Sequence, residues 1–183
     1  MPNFFSNVTK NSILMEKAKV LKEIIESRRS IFPKDYTDQE IDREILDEIL
    51  SSATFAPNHK RTKPWRFKVF KGEEKEALGQ QLAEIYKATV SPEHFLLKKY
   101  LSISDKVNRA NVIITISVNF SGLLPDWEEI AATAMAVQNM YLTCTANEIG
   151  CYWSSPGMIK HLDDFLDLKE NQKCYGLFYM GKI

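Results

Sequence analysis

Residues 112–118, Val112-Ile113-Ile114-Thr115-Ile116-Ser117-Val118, are β-branched and almost uniformly apolar. Such a strand offers both of its faces to a core, so it belongs at the centre of a sheet covered above and below. The segment from Glu128 to Glu148 has a matching property. Ile130, Ala131, Ala134, Met135, Val137, Met140, Tyr141, Leu142 and Cys144 go most of the way around a helix, which predicts that this helix is largely buried. Gly150 stands where it can cap the helix C-terminus. A central strand and a central helix together require a layered molecule with both element types in one core.

The remaining segments supply the layers. Leu14, Ala18, Leu21, Ile24 and Ile25 recur at helical spacing and end beside Arg28 and Arg29, after a polar stretch over residues 1–13 that reads as an N-terminal arm. Thr37 with Glu40 has capping-box spacing and precedes Ile41, Ile45, Leu46, Ile49 and Leu50 on one helical face. Trp65, Phe67 and Val69 alternate with Arg66 and Lys68, which predicts a strand with one wet face. Gly72 interrupts the pattern, and Ala77, Leu78, Leu82, Ile85 and Tyr86 mark another helix before a polar stretch around Pro92. Cys151-Tyr152-Trp153 reads as a short strand into the loop Ser154-Ser155-Pro156-Gly157. A helix carrying Met158, Ile159, Leu162, Phe165 and Leu166 and a strand from Tyr175 to Met180 follow. Helices and strands mix without strict βαβ alternation, so the expected class is α+β, in one domain over residues 14–183.

Charge and cysteine usage narrow the function classes. The 24 basic and 24 acidic side chains balance, which argues against nucleic acid or an anionic membrane as the main partner. No apolar run approaches the ~20 residues of a membrane span, and the N-terminus lacks the pattern of a signal peptide. Cys144, Cys151 and Cys174 are odd in number and form no Cys-x-x-Cys, so neither a disulfide framework nor a structural zinc site is expected, and a reducing cytoplasm fits best. Cys151 has no basic neighbour to activate it, and His161 with Asp163 and Asp164 reads as a solvated helix face rather than a metal site.

Two segments carry chemistry. Arg28-Arg29-Ser30 supplies two cations and a hydroxyl, and the planar fork of arginine suits phosphate oxygens. Ala56-Pro57-Asn58-His59-Lys60-Arg61-Thr62-Lys63-Pro64-Trp65 adds further donors ahead of a strand. Taken singly, the arginines could equally complement a helix dipole, His59 could be a surface loop residue, and Trp153 could be a core aromatic.

In this order, with Glu148-Ile149-Gly150 after the buried helix and Trp153-Ser154-Ser155 beyond it, the motifs resemble the nitroreductase family, especially its small members. The resemblance runs from about Leu21 to Ile183. It implies an α/β/α sandwich with a central mixed, mainly antiparallel sheet, assembled as an obligate homodimer that binds one FMN at each end of the interface. It also implies a ping-pong oxidoreductase: NADH or NADPH reduces the flavin and leaves, and a nitroaromatic, quinone or similar flat acceptor then enters the same pocket. By the same resemblance, Arg28, Arg29 and Ser30 hold the ribityl phosphate and one ring edge. Pro57, Asn58, His59, Arg61 and Lys63 come from the partner subunit, and Trp153, Ser154 and Ser155 line the isoalloxazine. Lys63 stands where many members have glutamine. Many members also continue beyond the last strand with cations for the phosphate, whereas this sequence stops at Gly181-Lys182-Ile183, so Lys182 is the expected contributor there. No side chain is assigned as a proton donor, because hydride transfer at N5 is the cofactor's own chemistry. The alternative is a flavin-binding or interaction protein that keeps the fold without turnover.

Overall fold

The computed structural model describes the backbone of residues 4–183 and the side chains from residue 13 onward. The strands β1 (Trp65–Phe70), β2 (Val112–Asn119), β3 (Ile149–Ser154) and β4 (Gln172–Lys182) form one sheet in the order β1-β2-β4-β3. It is mainly antiparallel as expected, and within the described strands every pairing is antiparallel. The apolar run falls on β2, between β1 and β4, and its side chains are buried on both faces. Period-two alternation divides them. Val112, Ile114 and Ile116 face a core shared with helices α2 (Arg43–Ala53) and α5 (Asp126–Ala146), while Ile113 faces one shared with helices α3 (Gly72–Thr89) and α4 (Leu97–Asn108). Helices thus cover both faces of the sheet, which is the α/β/α sandwich.

Four local expectations change. Thr37 does not open a capping box: its N–H and hydroxyl both donate to the Lys182 carbonyl, at 2.8 and 3.3 Å. Helix α2 begins only at Arg43, and Ile41 is buried ahead of it. Gly150 does not cap α5 either. The helix ends at Ala146, Asn147 caps it, and Glu148 takes the left-handed conformation at φ +56°, leaving Gly150 inside β3. The helix expected over Met158–Leu166 is two pieces, a 3-10 turn Gly157–His161 and the single turn α6 (Asp163–Leu166). The polar stretch after Pro92, for which the sequence set no element, contains a full helix, α4.

Helix α1 spans Phe4–Ser27. The arm expected over residues 1–13 begins in residues 1–3, outside the described ones, and from Phe4 the backbone is already helical. The apolar stripe of α1 does not enter the core of the chain. Leu14, Leu21 and Ile25 are exposed, and Ile24 is half-buried. The three cysteines are buried and free. Burial pushes the Cys144 and Cys174 thiols up, so both stay protonated.

Candidate cofactor site

The chain leaving α1 is held against the edge strand β3. The Ile31 N–H donates to the Cys151 carbonyl at 3.1 Å, and the Tyr36 hydroxyl donates to the Ile31 carbonyl at 2.8 Å. Tyr36 reaches this position because Gly181 has no side chain: a Cβ there would lie 2.5 Å from the tyrosine ring. The segment Arg28–Ile31 is therefore fixed at Ile31 by one distant contact, to Cys151, and one local contact, from Tyr36.

Tyr141 of α5 gathers the first set of expected residues. Its hydroxyl accepts the Trp153 N–H. The Ser30 hydroxyl lies beside the same oxygen, and the Arg28 guanidinium sits 5.4 Å from the ring centroid. Burial raises the phenol's pKa, and the Trp153 N–H, Ser30 and Arg28 each offset part of that rise. Arg28, Ser30 and Trp153 thus converge although the sequence separates them by most of its length.

Arg29 points elsewhere. Its Nη1 donates to the carbonyls of Glu26 at 2.7 Å and Arg28 at 2.9 Å, which completes the C-terminus of α1. Lys182 is also engaged, with its Nζ 2.9 Å from Asp42 Oδ2, and this contact holds the Asp42 carboxyl below its usual range. Trp153 is half-buried, and its Nε1 donates to the Tyr175 carbonyl at 3.2 Å across Gly176. Ser154 is half-buried and Ser155 exposed in the loop beyond β3.

One cation at this place had no sequence signal. Lys106, on α4, lies 4.9 Å from the ring centroids of both Tyr152 and Tyr179 and donates to Ser154 Oγ at 3.5 Å. Among the described residues it faces no carboxylate within ion-pair distance. Burial lowers its pKa. The Tyr152 hydroxyl near Ser154 is buried without a hydrogen-bond partner. A half-buried lysine without an anion, beside an unsatisfied phenol and a serine, is a donor set suited to the electron-rich edge of a bound ring.

The second segment forms a separate group. Asn58 Oδ1 accepts the Lys63 N–H at 3.0 Å, and Lys60, Arg61 and Lys63 have φ of +50°, +54° and +44°. Left-handed backbone at non-glycine residues costs roughly 1–2 kcal/mol each, so the turn is held in an unfavourable shape. His59 Nδ1 lies 2.7 Å from Glu128 Oε2, and Lys60 Nζ donates to the Leu123 carbonyl at 3.4 Å. Pro57, Asn58 and His59 border a cleft with Trp127 and Met135. Arg61 and Lys63 extend from the turn and are exposed. Glu128 and Tyr141 are separated by about 20 Å along α5, at ~1.5 Å per residue. Within the single chain the two groups of expected site residues therefore do not meet.

The family model described as Nitroreductase family matches residues 25–182. The chain belongs to the nitroreductase family. Among its relatives, YfhC of Bacillus subtilis, provisionally named an NAD(P)H nitroreductase, is 24% identical over 166 residues, covering 88% of this chain and 84% of YfhC. The crystal structure of a nitroreductase-like family protein from Bacillus cereus superposes with a TM-score of 0.75 at 26% identity, covering 89% of this chain and 85% of that one. A family member from Desulfovibrio desulfuricans, solved in complex with FMN, superposes with a TM-score of 0.66 at 25% identity, covering 88% and 84%. The Arg28–Ser30 motif, both faces of the sheet and the Trp153–Ser155 loop all lie inside the matched range.

Proposed function

We propose that this nitroreductase-family protein is an FMN-dependent oxidoreductase. In this reading it takes electrons from NADH or NADPH and passes them, in a ping-pong cycle, to a flat acceptor such as a nitroaromatic or quinone. The observation that carries the reading is the convergence of Arg28, Ser30 and the Trp153 loop on Tyr141, with Lys106 unpaired beside Ser154. The FMN found in the Desulfovibrio relative and the NAD(P)H in the name of YfhC support the cofactor and reductant.

Arg28 and Ser30 hold the phosphate, Arg28 because its fork makes no hydrogen bond to a described residue. Arg29 stiffens the helix end that carries them. The Ser154–Ser155 loop and Lys106 face the ring, where a fixed cation favours the reduced, more negative form. When bound, FMN supplies the relay that accepts a hydride from nicotinamide and returns two electrons to the acceptor. The protein contributes position, charge and exclusion of water.

The assembly in this reading is a homodimer. The apolar stripe of α1 and the exposed Phe55, Trp127 and Met135 lack a cover in one chain, and the turn Pro57–Lys63 lies far from Tyr141. A second copy brings that turn, with Asn58, His59, Arg61 and Lys63, to the Arg28 half of the site.

The test is spectroscopic. Purified protein shows a flavin spectrum, NADH or NADPH bleaches it without oxygen, and added acceptor restores it. Protein that is colourless and takes up no added FMN overturns the proposal. FMN-loaded protein that neither nucleotide bleaches is instead a flavin-binding protein without turnover.

A further inference from the structure

Helix α4 runs beside the loop that follows β3. Lys99, Ile103 and Lys106 are spaced i, i+4, i+7 and so share one face of the helix. Lys106 meets Ser154, and Lys99 opens onto a cleft of about 480 Å³ that continues the same loop through Pro156 and Gly157. The inner wall is apolar, with Val90, Pro156 and Met158 beside the buried Tyr86, whose ring already stacks on Phe95 at 5.7 Å between centroids and has Lys99 Nζ 4.9 Å from its centroid. Lys160 and His161 complete the rim.

The cleft is one-sided in charge. No acidic side chain lines it. Of the nearby acids, Glu84 accepts the Tyr100 hydroxyl and Glu93 lies 3.8 Å from His94, while Asp163 and Asp164 follow His161 outside the lining. The Tyr86 hydroxyl is also occupied, accepting the Leu96 N–H at 3.1 Å, which steadies the connection between α3 and α4. The volume lies in the range of small-molecule sites and suits one or two fused rings. An apolar wall with ammonium groups at its rim recognises a flat apolar ring that carries an anion.

We propose that this cleft binds the anionic end of the electron acceptor, and that the acceptor is a flat aromatic carboxylate. The inference rests on the oxidoreductase reading above and adds to it the class of acceptor. Lys99 and Lys160 are the groups that select the anion, and the apolar wall of Val90, Pro156 and Met158 packs against the ring. The apolar floor favours an aromatic acid over the phosphates of the nicotinamide nucleotide, which need more donors and less apolar wall.

The experiment compares 4-nitrobenzoate with its neutral methyl ester as acceptors for the FMN-loaded enzyme, in wild type and in Lys99→Gln and Lys160→Gln. Comparing each variant with wild type cancels the different intrinsic reducibility of the two compounds. The acid-to-ester ratio of kcat/KM falls roughly three- to tenfold in each variant, as expected for one partly solvated charge contact. Lys99→Glu lowers it further, and added salt lowers it in wild type. Flavin absorbance and Tm verify that the variants are loaded and folded. A ratio that the substitutions leave unchanged overturns the proposal, as does an effect confined to the KM of NADH or NADPH. Equilibrium dialysis of the same two compounds separates this from failure of the oxidoreductase reading. If no acceptor is turned over, tighter binding of the acid that Lys99→Gln abolishes still supports the cleft, and equal binding of acid and ester overturns it.

Discussion

The two adjacent arginines illustrate how neighbouring side chains acquire different tasks. Arg29 places its donors on the carbonyls at the end of α1, whereas Arg28 lies over Tyr141 with its fork bonded to none of the described residues. A charge-assisted hydrogen bond contributes about 1.5–3 kcal/mol, so Arg28→Ala weakens FMN by at least about tenfold in a titration of the apoprotein. Arg29→Ala acts mainly through the helix end, costs roughly 0.3–1 kcal/mol of stability, and shifts FMN affinity less. Equal losses in the two variants would contradict this division. Lys106 gives a second test. Because burial lowers its pKa, the unfolded chain holds the proton more tightly than the folded one. Its charge therefore disfavours folding at neutral pH, and the penalty fades as pH rises through the folded pKa toward the ordinary lysine value. Lys106→Met accordingly raises the Tm of the apoprotein at pH 7, with an advantage that narrows toward pH 10, while it weakens FMN. Thermal melts of both proteins at several pH values check the sign.

At the scale of elements, the site depends on close approach between β3 and β4. A Cβ at Gly176 would collide with the indole of Trp153 and lie 2.8 Å from the Ser154 carbonyl. Gly176→Ala therefore destabilises by about 1–3 kcal/mol, the usual cost of overpacking. It also displaces the Ser154–Ser155 loop, so it lowers Tm and FMN retention together. A fully stable variant that retains FMN would show that the indole has room to move. Strand β2 and helix α5 were legible in the sequence, because burial on all sides leaves an apolar signal that is independent of the partners. Helix α4 was not. Its buried face reduces to Val107, with Ile103 half-buried, and Leu97 and Leu101 are exposed, so the apolar period is blurred. The expected capping box failed for a related reason. Thr37 has the right spacing, but the Lys182 carbonyl at the end of β4 takes its hydrogen bonds.

For the whole molecule, the stripe on α1 is the deciding surface. Its residues follow helical spacing as a core-facing helix should, yet Leu14, Leu21 and Ile25 are exposed in the single chain. Burying a leucine side chain contributes about 1.5–3 kcal/mol, and a two-fold interface counts each position twice. In the proposed homodimer, light scattering gives twice the 21.1 kDa chain mass, and Leu21→Glu shifts the protein toward monomer with concurrent loss of FMN. A wild-type protein that is monomeric while fully loaded with FMN would remove the interface from the site. The turn Pro57–Lys63 belongs to this scale, since in the proposed homodimer the second copy brings it to Arg28.

The sequence alone determined the central strand, the buried helix, the α+β class and the family, because each rests on local pattern or on motif order. It also singled out Arg28, Ser30 and the Trp153 loop. Tertiary structure decided which of two adjacent arginines keeps a free fork, that Lys182 is paired with Asp42, and that Tyr141 is the centre on which the motif residues converge. It also placed Lys106 and Lys99 beside the same loop. Hydrogen bonds and ion pairs depend on which distant groups arrive within about 3 Å, and neither periodicity nor composition carries that information.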